Sequence, residues 1–193
     1  MRFLWSIVFI IAGLFLIFYP QLEKQVSDAK EKELVETFEN LGEMTDLDET
    51  SVSTVPKEKL EGIKGVIRIP KIDLEMPILE GATKSSLSKG VGIIQSDKEI
   101  GKNNVGLAGH RGATRGKQFN RLDELEPKDE IEVKTKSGTF QFLIVDKFVV
   151  DRSDVEVLND QKEPFITLVT CTPIGAVNPT DRLIVQARLK HKG

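Results

Sequence analysis

Cysteine, histidine, tryptophan and tyrosine are all scarce in this chain of 193 residues, which has one Cys, two His, one Trp and one Tyr. A single cysteine allows no internal disulfide, so an exported form of the chain must depend on its own hydrophobic core. One cysteine and one usable histidine also fall short of a zinc ligand set, because His191 reads as part of a solvated Lys190-His191-Lys192-Gly193 tail. Neither sign of charge dominates. The 27 basic and 30 acidic residues leave a net −3 and no basic footprint, which argues against a nucleic-acid partner. No repeat period is present, and there is one long apolar run.

That run, Phe3 to Tyr19, is 17 residues long and interrupted only by Ser6, at the short end of what spans a bilayer. Trp5 and Tyr19 lie near its two ends, where amphipathic rings prefer to sit. A cleaved signal peptide is the competing reading, but no small-x-small site follows; the chain continues Tyr19-Pro20-Gln21-Leu22-Glu23. Residues 1–20 are therefore expected to be an uncleaved signal anchor, a transmembrane helix. Lys and Arg counts on its two sides are nearly balanced. A short tail inside and a long domain outside is the simpler placement: a single-pass protein of the cell membrane with its domain on the extracellular face. Residues 21–56 read as an acidic juxtamembrane stem and linker, with ten acidic residues and three lysines between Glu23 and Pro56. Leu22, Val26, Ala29, Val35, Phe38 and Leu41 recur at roughly helical spacing, and periodicity is lost from Asp46 to Pro56. A spacer and a solvated tail predict much the same behaviour here.

From residue 57 to 193 the pattern changes to short strands, and about 135 residues are enough to build a core. Runs at Val66–Ile69, Ile72–Ile78, Val91–Ile94, Asn104–Ala108, Glu130–Val133, Thr139–Val150, Phe165–Cys171 and Arg182–Leu189 give eight strands. Ser137-Gly138 reads as a hairpin turn. Helical signals are confined to Lys84–Lys89 and to Phe119–Leu125, the latter stopped by Pro127. Short strands joined by turn residues predict a mostly antiparallel barrel or sandwich.

Three residues stand at strand–loop junctions. Cys171 ends an alternating strand just before Pro173; His110 opens the glycine-rich loop that follows Asn104–Ala108; Arg182 begins the last strand. Each has an ordinary reading: a small buried hydrophobe, a loop histidine, a surface arginine paired with Asp181. Together they supply the parts of thiol acyl transfer. The thiolate is the nucleophile, the imidazole a general acid and base, and the guanidinium a donor to the developing oxyanion.

These residues resemble the sortases, membrane-anchored cysteine transpeptidases of Gram-positive bacteria. Thr167-Leu168-Val169-Thr170-Cys171 matches the family's TLxTC signature, Gly109-His110-Arg111 its Gly-His segment, and Arg182-Leu183-Ile184-Val185 the strand carrying its arginine. The order His, Cys, Arg agrees as well; papain-like and NlpC-type peptidases place the cysteine first, and the Gly-Cys-x-Arg of L,D-transpeptidases is missing. The resemblance covers about residues 63–190 and implies an eight-stranded sortase-type β-barrel with a few short helices, preceded by the transmembrane helix. It further implies that Cys171 attacks after Thr in a Leu-Pro-x-Thr-Gly-like or Leu-Pro-x-Thr-Ala-like sorting signal. A cell-wall amine, from a peptidoglycan precursor, then resolves the thioacyl enzyme. His110 is the implied acid and base, Arg182 the implied oxyanion donor, and Thr170 an implied contributor to the substrate groove. Within the family, Gly109-His110-Arg111-Gly112 and Cys171-Thr172-Pro173 resemble pilus-building class C, but the stem has no Asp-Pro-aromatic lid, and class D is the expectation.

No cofactor is expected. Six acidic residues lie between Asp146 and Glu163, but their spacing matches no defined calcium loop, and a solvated acidic loop is the better reading than a calcium site. Two rivals remain: a membrane-anchored β-domain scaffold with an inert buried cysteine, and a thiol hydrolase that releases peptide to water.

Overall fold

The computed structural model describes residues 32–33, 35–36, 62–111 and 118–192. The expected membrane span and most of the stem lie outside these residues. Among the described residues no helix is long and apolar enough to cross a membrane. The four described stem residues are helical, and Val35 is buried in a cluster with Ile63, Val66 and Leu79 on the barrel's outer side.

Eight strands close into a barrel: β1 (Ile63–Ile69), β2 (Leu74–Leu79), β3 (Val91–Ile93), β4 (Asn104–Ala108), β5 (Glu130–Thr135), β6 (Gly138–Asp151), β7 (Phe165–Cys171) and β8 (Asp181–Lys192). The order around the barrel is β1-β2-β3-β4-β7-β8-β6-β5. Closure decides between barrel and sandwich and leaves no sheet edge unpaired. The pairing is mostly antiparallel, as the strand pattern suggested, but β2 with β3 and β4 with β7 run parallel. The second of these parallel pairs carries the candidate site.

Alternation makes the core. Inward residues such as Ile67, Ile69, Ile78, Leu107, Ile131, Phe142, Ile166, Leu168 and Val185 fill the barrel, each burial of such a side chain stabilising by about 1.5–3 kcal/mol. A 3₁₀ segment, Gln118–Glu124, covers the barrel with Phe119 and Leu122, both fully buried. The long strands β6 and β8 bend through bulges at Gln141/Phe142 and Ile144/Asp146, which lets a single pair of strands follow the barrel wall.

Local departures from the sequence expectation have local causes. Ile72 belongs to a 3₁₀ turn, Pro70–Ile72, because Pro70 presets the turn and Asp73 closes it in the left-handed region (φ 51°). The β5–β6 hairpin turns at Lys136-Ser137, one residue earlier than Ser137-Gly138, and Gly138 (φ 129°) opens β6. The helix at Lys84–Leu87 is shorter than expected and is capped by the Thr83 hydroxyl. The C-terminal residues around His191 are not a tail: β8 runs to Lys192, with His191 opposite Gln141 on β6. A further 3₁₀ turn, Val155–Leu158, lies in the acidic loop.

Candidate active site

The site is built on the outward face of three neighbouring strands, β4, β7 and β8. On β7 the inward positions are Ile166, Leu168 and Thr170; Cys171, by alternation, points outward and is half-buried. Across the antiparallel β7–β8 ladder, Cys171 stands opposite Arg182, so the two side chains project on the same face. On the other side, the parallel β4–β7 register ends with Ala108 opposite Val169, and the Gly109 amide donates to Val169 O (3.1 Å). Continuing that register brings His110, which is exposed, level with Cys171. The backbone of Cys171 is thus flanked by those of His110 and Arg182, each about one strand spacing away, about 4.8 Å.

Each flank is held by its own contacts. The Phe119 amide donates to His110 O (3.1 Å), and a Cβ on Gly109 would come within 2.6 Å of the Phe119 ring, so only glycine fits before this histidine. Arg182 donates through Nη1 to Pro179 O (2.8 Å) and Asp181 O (2.9 Å), bracing the loop between β7 and β8. Its Nε and Nη2 have no partner among the described residues. Nearby, the Ser153 hydroxyl and amide hold the Asp151 carboxyl below the usual carboxylate range, with smaller help from the charges of Arg152 and Arg182.

Thr170 does not line the outward face. It is 2% exposed, and its hydroxyl donates to Gly109 O (2.8 Å), tying the end of β4 to β7 from inside the wall.

The acidic loop crosses the same outward face and is tied down by polar residues that sequence reading passes over. Asn104, fully buried at the start of β4, donates through Nδ2 to Val157 O (3.0 Å) and Asn159 O (2.9 Å) and accepts from the Thr167 hydroxyl (2.8 Å). Gln186 donates to Val157 O (3.1 Å), and Leu158 packs over Gly106, where a Cβ would come within 2.7 Å of it. Lys98 donates to Leu158 O (2.6 Å) and pairs with Asp160 (3.1 Å). The backbone N–H of Asn104, and then Lys98, push the Asp160 carboxyl below its ordinary value. A carboxyl lowered on folding contributes stability above its unfolded pKa and loses it as pH falls through the folded one. This tie therefore persists through mildly acidic conditions. The sequence hint at Asn104 is slight, an asparagine opening the apolar alternation Asn104-Val105-Gly106-Leu107.

Asn104→Leu keeps the branched heavy-atom shape but strands two backbone carbonyls and the Thr167 hydroxyl. The expected cost is about 3 kcal/mol and a Tm lower by about 10 °C in thermal denaturation followed by circular dichroism. An unchanged Tm would mean that water replaces these bonds and that the loop is not anchored here.

Among the described residues no group of three or more His, Cys, Asp or Glu side chains is arranged to hold a metal ion.

Comparison with known proteins agrees with this architecture. A Sortase domain model matches residues 67–190. The chain is 23% identical over 216 residues to Sortase A of Listeria monocytogenes, covering 96% of each protein. It is 35% identical over 128 residues to Sortase D of Bacillus subtilis, covering 64% of this chain and 62% of that one. The solved Sortase D5 transpeptidase of Clostridium perfringens superposes with a TM-score of 0.65 at 33% identity, covering 84% of this chain and 99% of that one.

Proposed function

The chain belongs to the sortase family and is a cysteine transpeptidase; on that premise we propose that Cys171 is its nucleophile, His110 its acid–base group and Arg182 its oxyanion donor. The observation that carries this reading is the level arrangement of the three residues on neighbouring strands, with the thiol in the middle.

The reaction exchanges one amide for another. The Cys171 thiolate adds to the carbonyl carbon of the sorting signal's threonine, and Arg182 donates hydrogen bonds to the oxyanion that forms. Charge-assisted donors are about twice as strong as neutral ones, and their gain is largest where charge develops. Collapse breaks the C–N bond, and His110 supplies the proton that lets the amine leave. The product is a thioester on Cys171. An incoming amine then attacks the same carbon, gives a proton to His110, and expels the thiolate, so that no net proton or water is consumed.

Family members act on proteins bearing a sorting signal and on cell-wall amines. For this chain we infer a Leu-Pro-x-Thr-Gly or Leu-Pro-x-Thr-Ala signal, cleaved after Thr, and a peptidoglycan-precursor amine. The likeness to Sortase D supports class D. Residues 1–20 hold the enzyme in the cell membrane with the barrel outside, and residues 21–56 are its stem. Thr170 serves the site through Gly109 rather than by touching substrate. Calcium is not required in this reading, because Lys98 already neutralises Asp160 in the acidic loop.

Mass spectrometry of the full chain in detergent tests this, using both peptides with and without a glycine- or diaminopimelate-type amine. An acyl adduct on Cys171 that converts to amine-linked peptide is expected, at a rate unaffected by a calcium chelator. Cleavage without a Cys171 adduct would overturn the assignment. Release of free acid alone, even with amine in excess, would make the enzyme a hydrolase.

A further inference from the structure

Backbone pairing between β4 and β7 stops just short of the chemistry. The hydrogen bond from the Gly109 N–H to Val169 O is the last rung of that ladder. Beyond Cys171, the strand meets Pro173, which has no amide hydrogen to offer. Nothing in the ladder itself therefore sets the spacing between His110 and Cys171.

A pair of side chains bridges that gap. Arg111, the residue after His110, donates through Nη1 to the Oγ1 of Thr172, the residue after Cys171, at 2.8 Å. Its Nη2 donates to Asp123 at 2.8 Å, within the 3₁₀ segment whose Phe119 amide holds His110 O. The Arg111 side chain is only 6% exposed, and its Nε is buried with no partner among the described residues. Thr172 is fixed on its other side as well, because its amide donates to Asp181 O (3.1 Å), next to Arg182. Thr172, itself next to Cys171, is thus joined to the immediate neighbours of the other two candidate catalytic residues. Burying a guanidinium with one N–H unpaired is costly for stability, and what it secures here is a fixed distance.

We propose that Arg111 and Thr172 are positioning residues of the transpeptidase, their hydrogen bond continuing the β4–β7 ladder with side chains and holding His110 against Cys171. This rests on the roles given above to those two residues. Misplacement of reacting groups by about 1 Å can cost on the order of 100-fold in rate, so a tether at this point governs turnover rather than substrate binding.

The test compares the full chain in detergent with Thr172→Val, Thr172→Ser, Arg111→Met and the Thr172→Val/Arg111→Met pair. Steady-state transpeptidation and Tm are measured for each, with Cys171→Ala as the reference for the nucleophile. Thr172→Val is expected to lower kcat about tenfold with KM little changed, and Thr172→Ser, which keeps the hydroxyl, to restore it. Arg111→Met, which also loses the bond to Asp123, is expected to lose at least a similar factor. The double variant is expected to be no worse than the poorer single, since both changes break the same Arg111–Thr172 bond. If Arg111→Met fails to fold, the Val and Ser variants decide alone. An unchanged kcat in Thr172→Val, a loss that Ser does not restore, or losses that multiply in the double variant would overturn the proposal. Activity surviving in Cys171→Ala would instead overturn the reading on which it rests.

Discussion

Cys171→Ala is expected to abolish both transpeptidation and peptide cleavage while leaving the barrel folded. The chain has no other thiol, and removing a covalent nucleophile costs on the order of a million-fold in other acyl-transfer enzymes. Stability should change little, about 0.5 kcal/mol or less, because Cys171 is half-buried on the outer face at a strand end and plugs no part of the core. The pair of measurements is peptide turnover by chromatography and Tm by circular dichroism. The opposite pattern, retained cleavage with a large drop in Tm, would describe a buried structural cysteine and end the assignment.

Arg182→Lys is expected to reduce kcat by about 10²–10³, the cost of losing one well-aimed oxyanion donor, with a smaller effect on KM. The charge survives in this variant, so the prediction concerns geometry. The guanidinium braces Pro179 O and Asp181 O with Nη1, and its remaining N–H groups are the ones proposed for the oxyanion. An ammonium is a compact point charge without that fork, and it cannot serve the loop and the oxyanion together. Kinetics of acyl-enzyme formation, followed by quenched mass spectrometry, isolate the step. Acylation at the parent rate would remove Arg182 from the oxyanion site and leave it only its bracing contacts to the loop.

Much of this protein is legible along the chain, for a physical reason. A strand of alternating apolar residues bounded by Gly, Pro or Asn is specified by nearest neighbours, so all eight strands were expected close to where they lie. The misjudged ends had short-range causes too: the turn set by Pro70 and Asp73, and the one-residue shift at Lys136-Ser137. His191 reads as tail along the chain because its strand partner, Gln141 on β6, is distant in sequence.

Cys171, His110 and Arg182 are each visible at strand ends, and the loop from Thr172 to Asp181 is long enough to let Arg182 face Cys171 across an antiparallel ladder, which it does. That His110 stands level with them is not visible. Strand partnership is a property of barrel closure. The parallel pairing of β4 with β7 brings residue 108 opposite residue 169, and no local pattern encodes that. The same holds for Thr170, whose inward direction depends on which face of β7 the barrel buries, and for the ties from Asn104, Lys98 and Arg111 to residues more than fifty positions away. The strands, the single thiol and the family signature can be read along the chain, because these depend on residue type and short spacing. Which side chains share a face, and what holds them there, emerges on folding, because closing the barrel joins strands that lie far apart along the chain.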